Sequence, residues 1–215
     1  CIRDSAVGEA RRKVSLFDPD LERNPLPAKL SPTLAKDKSR REAIRDGQRW
    51  LERMWQREIP ESHRKEPIPF EATRESRPFH KAKDYVYEGD EVVQGDPGSI
   101  YIPKGGTGGY QRESVVHEVG HWLEAADDSV HEAALEFLKK RTEGEEKKHL
   151  GPGYRPNEYA RKDEFLDPYM GKDYGERATE IVSMGLEWLY KDPAKLARED
   201  PEFFKFIVDL ARGHI

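Results

Sequence analysis

The sequence holds a single cysteine, Cys1, which excludes a disulfide bond within the chain. The shortage of cysteine fits a reducing compartment, and we expect a cytoplasmic or virion-associated protein. No apolar run approaches the roughly 20 residues that a membrane-spanning helix needs, and the polar N-terminal region does not look like a signal peptide. Lysine and arginine form no basic block and the net charge is -5, so we expect neither a membrane nor a nucleic-acid partner.

The chain starts with Cys1 instead of methionine, and we expect it to be a segment of a longer protein or a processed product. Residues 1–36 are rich in proline and lack periodicity, which predicts a linker or an extended strap. Residues 37–60 predict an amphipathic helix that packs on a domain, and residues 61–215 are long enough to form that domain. The apolar stripe of the helix consists of Ile44, Leu51, Met54 and Trp55.

Strand signals precede helix signals within residues 61–215. Turn residues and alternation predict a small β-meander that ends in SIYIP, residues 99–103. Helical periodicity then covers about 111–126, 129–143 and 176–190, and two Asp-Pro pairs predict two short helices at the end of the chain. This order predicts an α+β fold with a small mixed or antiparallel sheet and a mainly helical C-terminal part.

The stretch RESVVHEVGHWLEAADD, residues 112–128, holds two histidines four residues apart with a glutamate directly after the first. On a helix this spacing puts His117 and His121 on one face, one turn apart, so that both imidazoles can bind one zinc ion. Glu118 lies about 100° round the helix from His117. From there it can reach a water at an open coordination position and act as a general base.

An ordinary amphipathic helix that carries two histidines is the alternative. This helix is apolar over most of its circumference, which predicts burial, and buried histidines or glutamates are costly without partners. Gly120 costs about 1 kcal/mol in a helix interior, which indicates that another backbone comes close. The motif therefore favours a zinc site. The apolar residues are Val115, Val116, Val119, Trp122 and Leu123.

The motif leaves the third metal ligand open. Metzincins continue it as HExxHxxGxxH, but here Glu124 and Asp127 take the places of the glycine and the last histidine. Without the glycine the helix runs on and Asp127 rotates about 240° away from His121. Asp127 is therefore a weak candidate and is better interpreted, with its neighbours, as a helix break and N-cap. The later segment YGERATEIVSMGLEWL offers Glu176, Glu180 and Glu187.

Glu180 is the favoured third ligand. The small residues Ala178 and Thr179 precede it, and they let the segment approach another helix closely. Glu176 lies nearer the predicted helix start, where the helix dipole favours an acid anyway. Glu187 is expected either to bind a ligand histidine from behind or to face solvent.

The order of SIYIP, VVHEVGHWLE and YGERATEIVSMGLEWL resembles that of gluzincins, zincins whose third ligand is a glutamate on a downstream helix. The resemblance covers roughly residues 74–212 and implies a zincin-like fold. The last segment is similar to its counterpart in the anthrax lethal factor catalytic domain, where a tyrosine-glycine pair also shortly precedes the ligand glutamate, although the spacing differs slightly. This likeness implies that Tyr174 hydrogen-bonds the oxyanion of the reaction, with Tyr169 and Tyr110 in reserve.

A second resemblance is to the metallopeptidase-like C-terminal regions of phage minor head (head-morphogenesis) proteins. SRPFHK, VVHEVGHWLE, DPYMGKDYGERATEIVSMGLE and DPEFFKFIVDLARG carry it. Those regions commonly follow a head-morphogenesis module, which agrees with a chain that starts at Cys1. The resemblance implies capsid or other phage-type proteins as partners.

Together these features predict a zinc-dependent endopeptidase that acts on a protein or peptide substrate with one zinc ion. The substrate is expected to add antiparallel to the edge of the strand SIYIP, so Ser99 and Tyr101 are the predicted substrate-binding residues. The predicted catalytic residues are Glu118 and Tyr174. The predicted metal ligands are His117, His121 and Glu180.

Two alternatives remain. The chain could be a phage-derived structural or interaction module whose zinc site stabilises the fold, although such a site has no need of Glu118. It could also be a latent peptidase whose cleft is covered by the N-terminal strap or by residues 145–173, with Cys1 as an inhibitory thiolate ligand.

Overall fold

The computed structural model describes residues 24–82, 86–88, 91–93, 96–104, 112–172, 174–175 and 177–215. The predictions made for Cys1, Tyr110, Glu176 and most of the N-terminal strap lie outside these residues.

Within the described residues the structure is mainly helical, with short strands. The α-helices are α1 (Pro32–Lys36), α2 (Lys38–Met54), α3 (Glu61–Arg64), α4 (Arg112–Ala126), α5 (Asp128–Arg141), α6 (Ile181–Lys191), α7 (Pro193–Glu199) and α8 (Pro201–Ala211). The strands are β1 (Ala28–Leu30), β2 (Ile68–Thr73), β3 (Phe79–Lys81), β4 (Val86–Glu88), β5 (Glu91–Val93), β6 (Ser99–Pro103), β7 (Lys148–His149) and β8 (Tyr159–Ala160). A 3₁₀ turn covers Pro168–Gly171.

A four-stranded mixed sheet with the order β1-β2-β6-β3 forms one layer of the protein. The strands β1, β2 and β6 run parallel, whereas β3 runs antiparallel to β6. A small mixed sheet with most helices following it in the chain is an α+β fold, as predicted. None of the described helices combines the length and the apolar character that a membrane crossing requires.

The end of the predicted linker belongs to this fold. Residues 28–30 form β1 and residues 32–36 form α1. Leu26 and Leu34 are only 2% and 1% exposed. Burial of these two apolar side chains stabilises the segment, although its sequence is rich in proline and has no helical or strand periodicity.

The strand β6 is not an edge strand, so this part of the substrate prediction is wrong. Tyr101 pairs with Glu71 of β2 on one side and with Phe79 of β3 on the other. The expected meander is also wrong, since β4 and β5 pair only with each other among the described strands. At three residues, β3 is too short for alternation to reveal it, and without β3 the strand β6 looks like an edge.

The amphipathic helix α2 packs on the rest of the protein, and it ends at Met54 instead of continuing to residue 60. Its residues Ile44 and Leu51, with Trp55 directly after it, are at most 1% exposed. Gly47 faces the HExxH helix α4, where a β-carbon would lie 2.9 Å from Cγ1 of Val115. The helix is therefore part of the wall that holds α4 in place.

Capping residues set the ends of the last two helices. The side chains of Asp192 and Asp200 accept hydrogen bonds from the backbone N–H groups of Lys195 and Phe203. A proline follows each cap at the first helical position, where its missing N–H costs nothing. The two predicted closing helices are thereby confirmed.

The helix that was predicted over 176–190 begins later, at Ile181. Gly175 has a φ of 65°, which does not fit a helix. Glu180 is the N-cap residue of α6, and the Thr179 hydroxyl accepts the N–H of Ile181 at 3.1 Å. Glu180 therefore precedes the helix instead of lying within it.

Candidate metal centre

The candidate site lies where α4 and α6 approach each other closely. A β-carbon on Gly120 would lie 2.6 Å from Cα of Ser183 and 3.0 Å from its backbone N. The prediction that another backbone comes close to Gly120 is thus confirmed. The flanking residues Val119 and Trp122 are almost fully buried, so α4 is also the buried helix that its sequence predicted.

The structure brings His117, His121 and Glu180 together. Nε2 of His117 is 3.4 Å from Oε2 of Glu180, and Nε2 of His121 is 3.2 Å from the same oxygen. One ligand atom from each of the three residues lies within 4.8 Å of the others. Glu180 is buried, and both histidines are partly buried.

These distances fit the donor set of a tetrahedral zinc site. With zinc–nitrogen and zinc–oxygen bonds of about 2.0–2.1 Å, two ligand atoms of a tetrahedron are roughly 3.3 Å apart. The two nitrogen–oxygen distances in the protein are 3.4 and 3.2 Å. Two imidazoles and one carboxylate are also the ligands of a known class of catalytic zinc site.

The electrostatics of the three side chains are strongly coupled. Burial alone would lower the pKa of His121, but the nearby carboxylates, Glu180 first among them, together outweigh it and the pKa rises to about 9. Burial likewise opposes ionisation of Glu180, yet the neighbouring histidines bring its pKa down to about 2. The carboxylate is therefore ionised at neutral pH and attracts positive charge to this position.

Two further side chains hold the Glu180 carboxylate. The Tyr174 hydroxyl donates to Oε1 at 2.5 Å, and the Ser183 hydroxyl donates to Oε2 at 2.9 Å. Ser183 lies one turn into α6, directly beside Gly120. The close approach of the two helices thus also orients this carboxylate.

Glu187 holds His117 from the side away from Glu180. Nδ1 of His117 donates to Oε2 of Glu187 at 2.9 Å. This hydrogen bond leaves Nε2 of His117 free to act as a ligand atom, which is the usual arrangement behind metal-bound histidines. Of the two roles expected for Glu187, the structure shows the contact with the histidine.

Glu118 is buried beside the two histidines, with 5% of its surface exposed. Burial raises the pKa of its carboxyl group. The backbone N–H of His80, in β3, lies near this carboxylate and opposes part of the rise. A carboxylate with a raised pKa next to a metal site is suited to taking up a proton.

Sequence reasoning did not identify His80. Its ring stacks on His121, with the centroids 6.2 Å apart and the planes at 13°. Its Nε2 donates to the carbonyl oxygen of Pro97 at 2.5 Å, and burial lowers its pKa to about 4. No sequence spacing links β3 to the HExxH helix, so only the three-dimensional structure shows this contact.

The two tyrosines considered for the oxyanion lie side by side. Burial and the nearby Glu180 raise the pKa of Tyr174, so its phenol stays neutral and keeps its proton to donate. The Tyr169 hydroxyl accepts a hydrogen bond from Nζ of Lys172 at 2.9 Å. Of these two tyrosines, Tyr174 is the one that hydrogen-bonds Glu180.

The predicted substrate-binding residues Ser99 and Tyr101 lie inside the sheet. Ser99 is paired with Lys81, and the Tyr101 ring stacks on Phe79 with the centroids 4.7 Å apart. Among the described strands, β3 is the edge strand of the sheet next to Glu118. Ser99 and Tyr101 are not at an edge because β3 pairs with the side of β6 that was expected to be free.

Asp127, the weak ligand candidate, caps α5 as the sequence indicated. Its side chain accepts from the backbone N–H of Ser129 at 3.0 Å and pairs with Arg57 at 3.3 Å. Glu124, at the place of the metzincin glycine, is buried and turned toward Thr179.

No protein-family model, curated protein or solved structure matches the chain. The candidate site consequently depends on its own geometry and chemistry.

Proposed function

We propose that the protein is a zinc-dependent endopeptidase of the gluzincin type with a zincin-like fold. The observation that carries the proposal is the convergence of two Nε2 atoms and one carboxylate oxygen at the spacing of a zinc site, with Glu118 beside them. In this proposal His117, His121 and Glu180 hold the ion. When bound there, zinc supplies a Lewis acid that polarises a carbonyl oxygen and makes a water molecule more acidic.

Glu118 is the proposed general base. Its buried carboxylate takes a proton from the water that attacks the peptide carbonyl and then delivers it to the nitrogen of the leaving amine. The backbone of His80 lies beside this carboxylate. The raised pKa supports the role, because a base must also be able to hold the proton.

Tyr174 is the proposed donor to the oxyanion. Its hydroxyl contacts Glu180, so it lies beside the position of the metal, and it is 37% exposed toward solvent. A neutral phenol placed there can turn from Glu180 to an oxygen that gains negative charge in the transition state.

The proposed peptide site is the outer edge of β3, Phe79–Lys81, in place of Ser99 and Tyr101. An extended peptide can add to such an edge through backbone hydrogen bonds. The edge lies next to Glu118, which the His80 backbone contacts. The likeness to phage minor head regions makes capsid or other phage-type proteins the proposed class of substrate or partner.

The test combines metal content with peptide cleavage. We expect the purified protein to hold one zinc ion and to cleave a denatured-protein or peptide library. Glu118→Gln should keep the zinc and lose cleavage by about 10²-fold or more. A wild type without zinc, or one that cleaves no better than Glu118→Gln, contradicts the proposal. Zinc without any cleavage would instead support the structural-module alternative.

A further inference from the structure

Glu124 is a buried acid that the proposed reaction does not use. It lies on α4, three residues after His121, and is 3% exposed. Oε1 accepts from the backbone N–H of Thr179 at 2.8 Å and from Nδ1 of His131 at 3.0 Å. Oε2 accepts from the Thr179 hydroxyl at 3.1 Å.

A buried carboxylate needs this number of donors, because removing it from water is costly unless its oxygens are hydrogen-bonded. Two of the three donors belong to one residue, Thr179. Thr179 itself is fully buried, and its hydroxyl accepts the N–H of Ile181 at 3.1 Å. Glu124 therefore holds Thr179, which directly precedes Glu180. The Thr179 hydroxyl in turn holds Ile181, which directly follows Glu180.

This hold matters because Glu180 lies outside the helix. The first N–H groups of a helix have no partners within it, and Glu180 itself provides no side-chain cap to α6. The preceding chain passes through Gly175 with a φ of 65°. Helical hydrogen bonding alone thus does not fix where the Glu180 carboxylate points.

Glu124 connects this segment to the other two proposed ligands. It is on the same rigid helix as His117 and His121, and its partner His131 is on α5. We propose that Glu124 is a positioning residue of the metal centre: by holding Thr179 it sets the Glu180 carboxylate at its distance from the two imidazoles. The inference rests on one part of the proposed function, namely that these side chains bind a metal ion. It does not depend on peptide cleavage.

The test uses Glu124→Gln, which keeps the size of the side chain, and the pair Thr179→Val and Thr179→Ser. Zinc affinity is measured by chelator competition, site geometry by the visible absorption of the cobalt(II) form, and folding by thermal melting. We expect Glu124→Gln and Thr179→Val to weaken zinc binding by about tenfold or more and to alter the cobalt spectrum. Thr179→Ser, which retains the hydroxyl, should stay close to the wild type in zinc affinity and in the cobalt spectrum.

Amide hydrogen exchange of the metal-free protein gives an independent readout. The Thr179 and Ile181 amides should exchange faster in Glu124→Gln than in the wild type, with helix α8 unchanged. If Glu124→Gln does not fold, the comparison of Thr179→Val with Thr179→Ser carries the test.

The outcomes separate the two proposals. If the wild type binds zinc but cleaves nothing, the peptidase proposal fails, and weaker binding by the variants still supports the role of Glu124. If the variants only melt at lower temperature and bind zinc with wild-type affinity and an unchanged cobalt spectrum, Glu124 is merely structural and the inference is overturned. If the wild type binds neither zinc nor cobalt, both proposals are overturned.

Discussion

Nδ1 of His117 lies 2.9 Å from a carboxylate oxygen of Glu187, which is 70 residues further along the chain. Glu187 is on α6, whose N-cap residue is Glu180. Two residues of this segment therefore contact the His117 imidazole: Glu187 contacts Nδ1, and the N-cap residue Glu180 lies near Nε2. This contact orients the ring and leaves Nε2 to face Glu180 at 3.4 Å.

We predict that Glu187→Ala weakens zinc binding about 10–100-fold, because a ligand histidine without its hydrogen-bond acceptor loses both orientation and basicity. Glu187→Gln should lose less, since its amide oxygen can still accept from Nδ1. Isothermal titration with zinc measures the effect. Glu136→Ala, which removes an exposed glutamate on α5, is the control and should bind zinc like the wild type; an equal loss there would contradict the prediction.

We predict that Gly120→Ala destabilises the protein and disturbs the proposed metal site. The added carbon would lie 2.6 Å from the backbone of Ser183, so α4 and α6 must move apart. Overpacking costs about 1–3 kcal/mol, and because the clash is with a backbone we expect the upper part of this range, above the roughly 1 kcal/mol that alanine gains over glycine in a helix. Urea unfolding and zinc titration of the variant measure both effects.

Gly47→Ala is the matched control for this prediction. Its added carbon would lie 2.9 Å from Cγ1 and 3.1 Å from Cβ of Val115, so it would meet a side chain instead of a backbone. The free energy of unfolding should therefore change much less. Equal destabilisation of both variants would show that the contact with Ser183 has no special role.

Local patterns predicted the parts of the site that lie on one helix. His117 and His121 meet because the spacing of four residues is one helical turn, and periodicity identified α4 almost to the residue. The choice of Glu180 over the other two glutamates used the small neighbours Ala178 and Thr179, whereas the close approach in the structure is between Gly120 and Ser183. These signals are local, because each depends only on residues that are close in the sequence.

The remaining features depend on contacts between distant segments. The start of α6 is set by Thr179, whose partner Glu124 is 55 residues earlier, and no local signal ends the preceding loop there. His80 reaches Glu118 through a strand of three residues that has no recognisable alternation. For the same reason the sequence predicted the wrong edge strand, because strand order is a property of the whole sheet.

We predict that Tyr174→Phe lowers kcat about 10²-fold or more with little change in KM, because one donor to the oxyanion is lost only in the transition state. One zinc ion should still bind when zinc is in excess, with lower affinity because Glu180 loses a hydrogen bond. Steady-state kinetics on a cleaved peptide provide the measurement. Tyr169→Phe, which removes the neighbouring hydroxyl bonded to Lys172, should have a smaller effect; a larger one would assign the oxyanion contact to Tyr169.

Arg141 anchors the irregular segment that leads to these tyrosines. Its guanidinium donates to both carboxylate oxygens of Asp200, at 3.0 and 3.2 Å, and to Asp163 at 2.7 Å. It also lies over the Phe165 ring, 4.6 Å from the centroid. The side chains of Arg141 and Asp200 are only 10% and 4% exposed, so the pair is largely removed from water.

We predict that Arg141→Ala destabilises the protein by about 3–5 kcal/mol, because the buried Asp200 carboxylate keeps the Phe203 N–H but loses its charged partner. Arg141→Lys should recover only part of this, since lysine cannot bind Asp200 through two parallel hydrogen bonds. Lys140→Ala is the control: its pair with Glu202 is exposed and should contribute less than about 1 kcal/mol. Urea unfolding compares the three variants, and equal losses for Arg141→Ala and Lys140→Ala would contradict an anchoring role for Arg141.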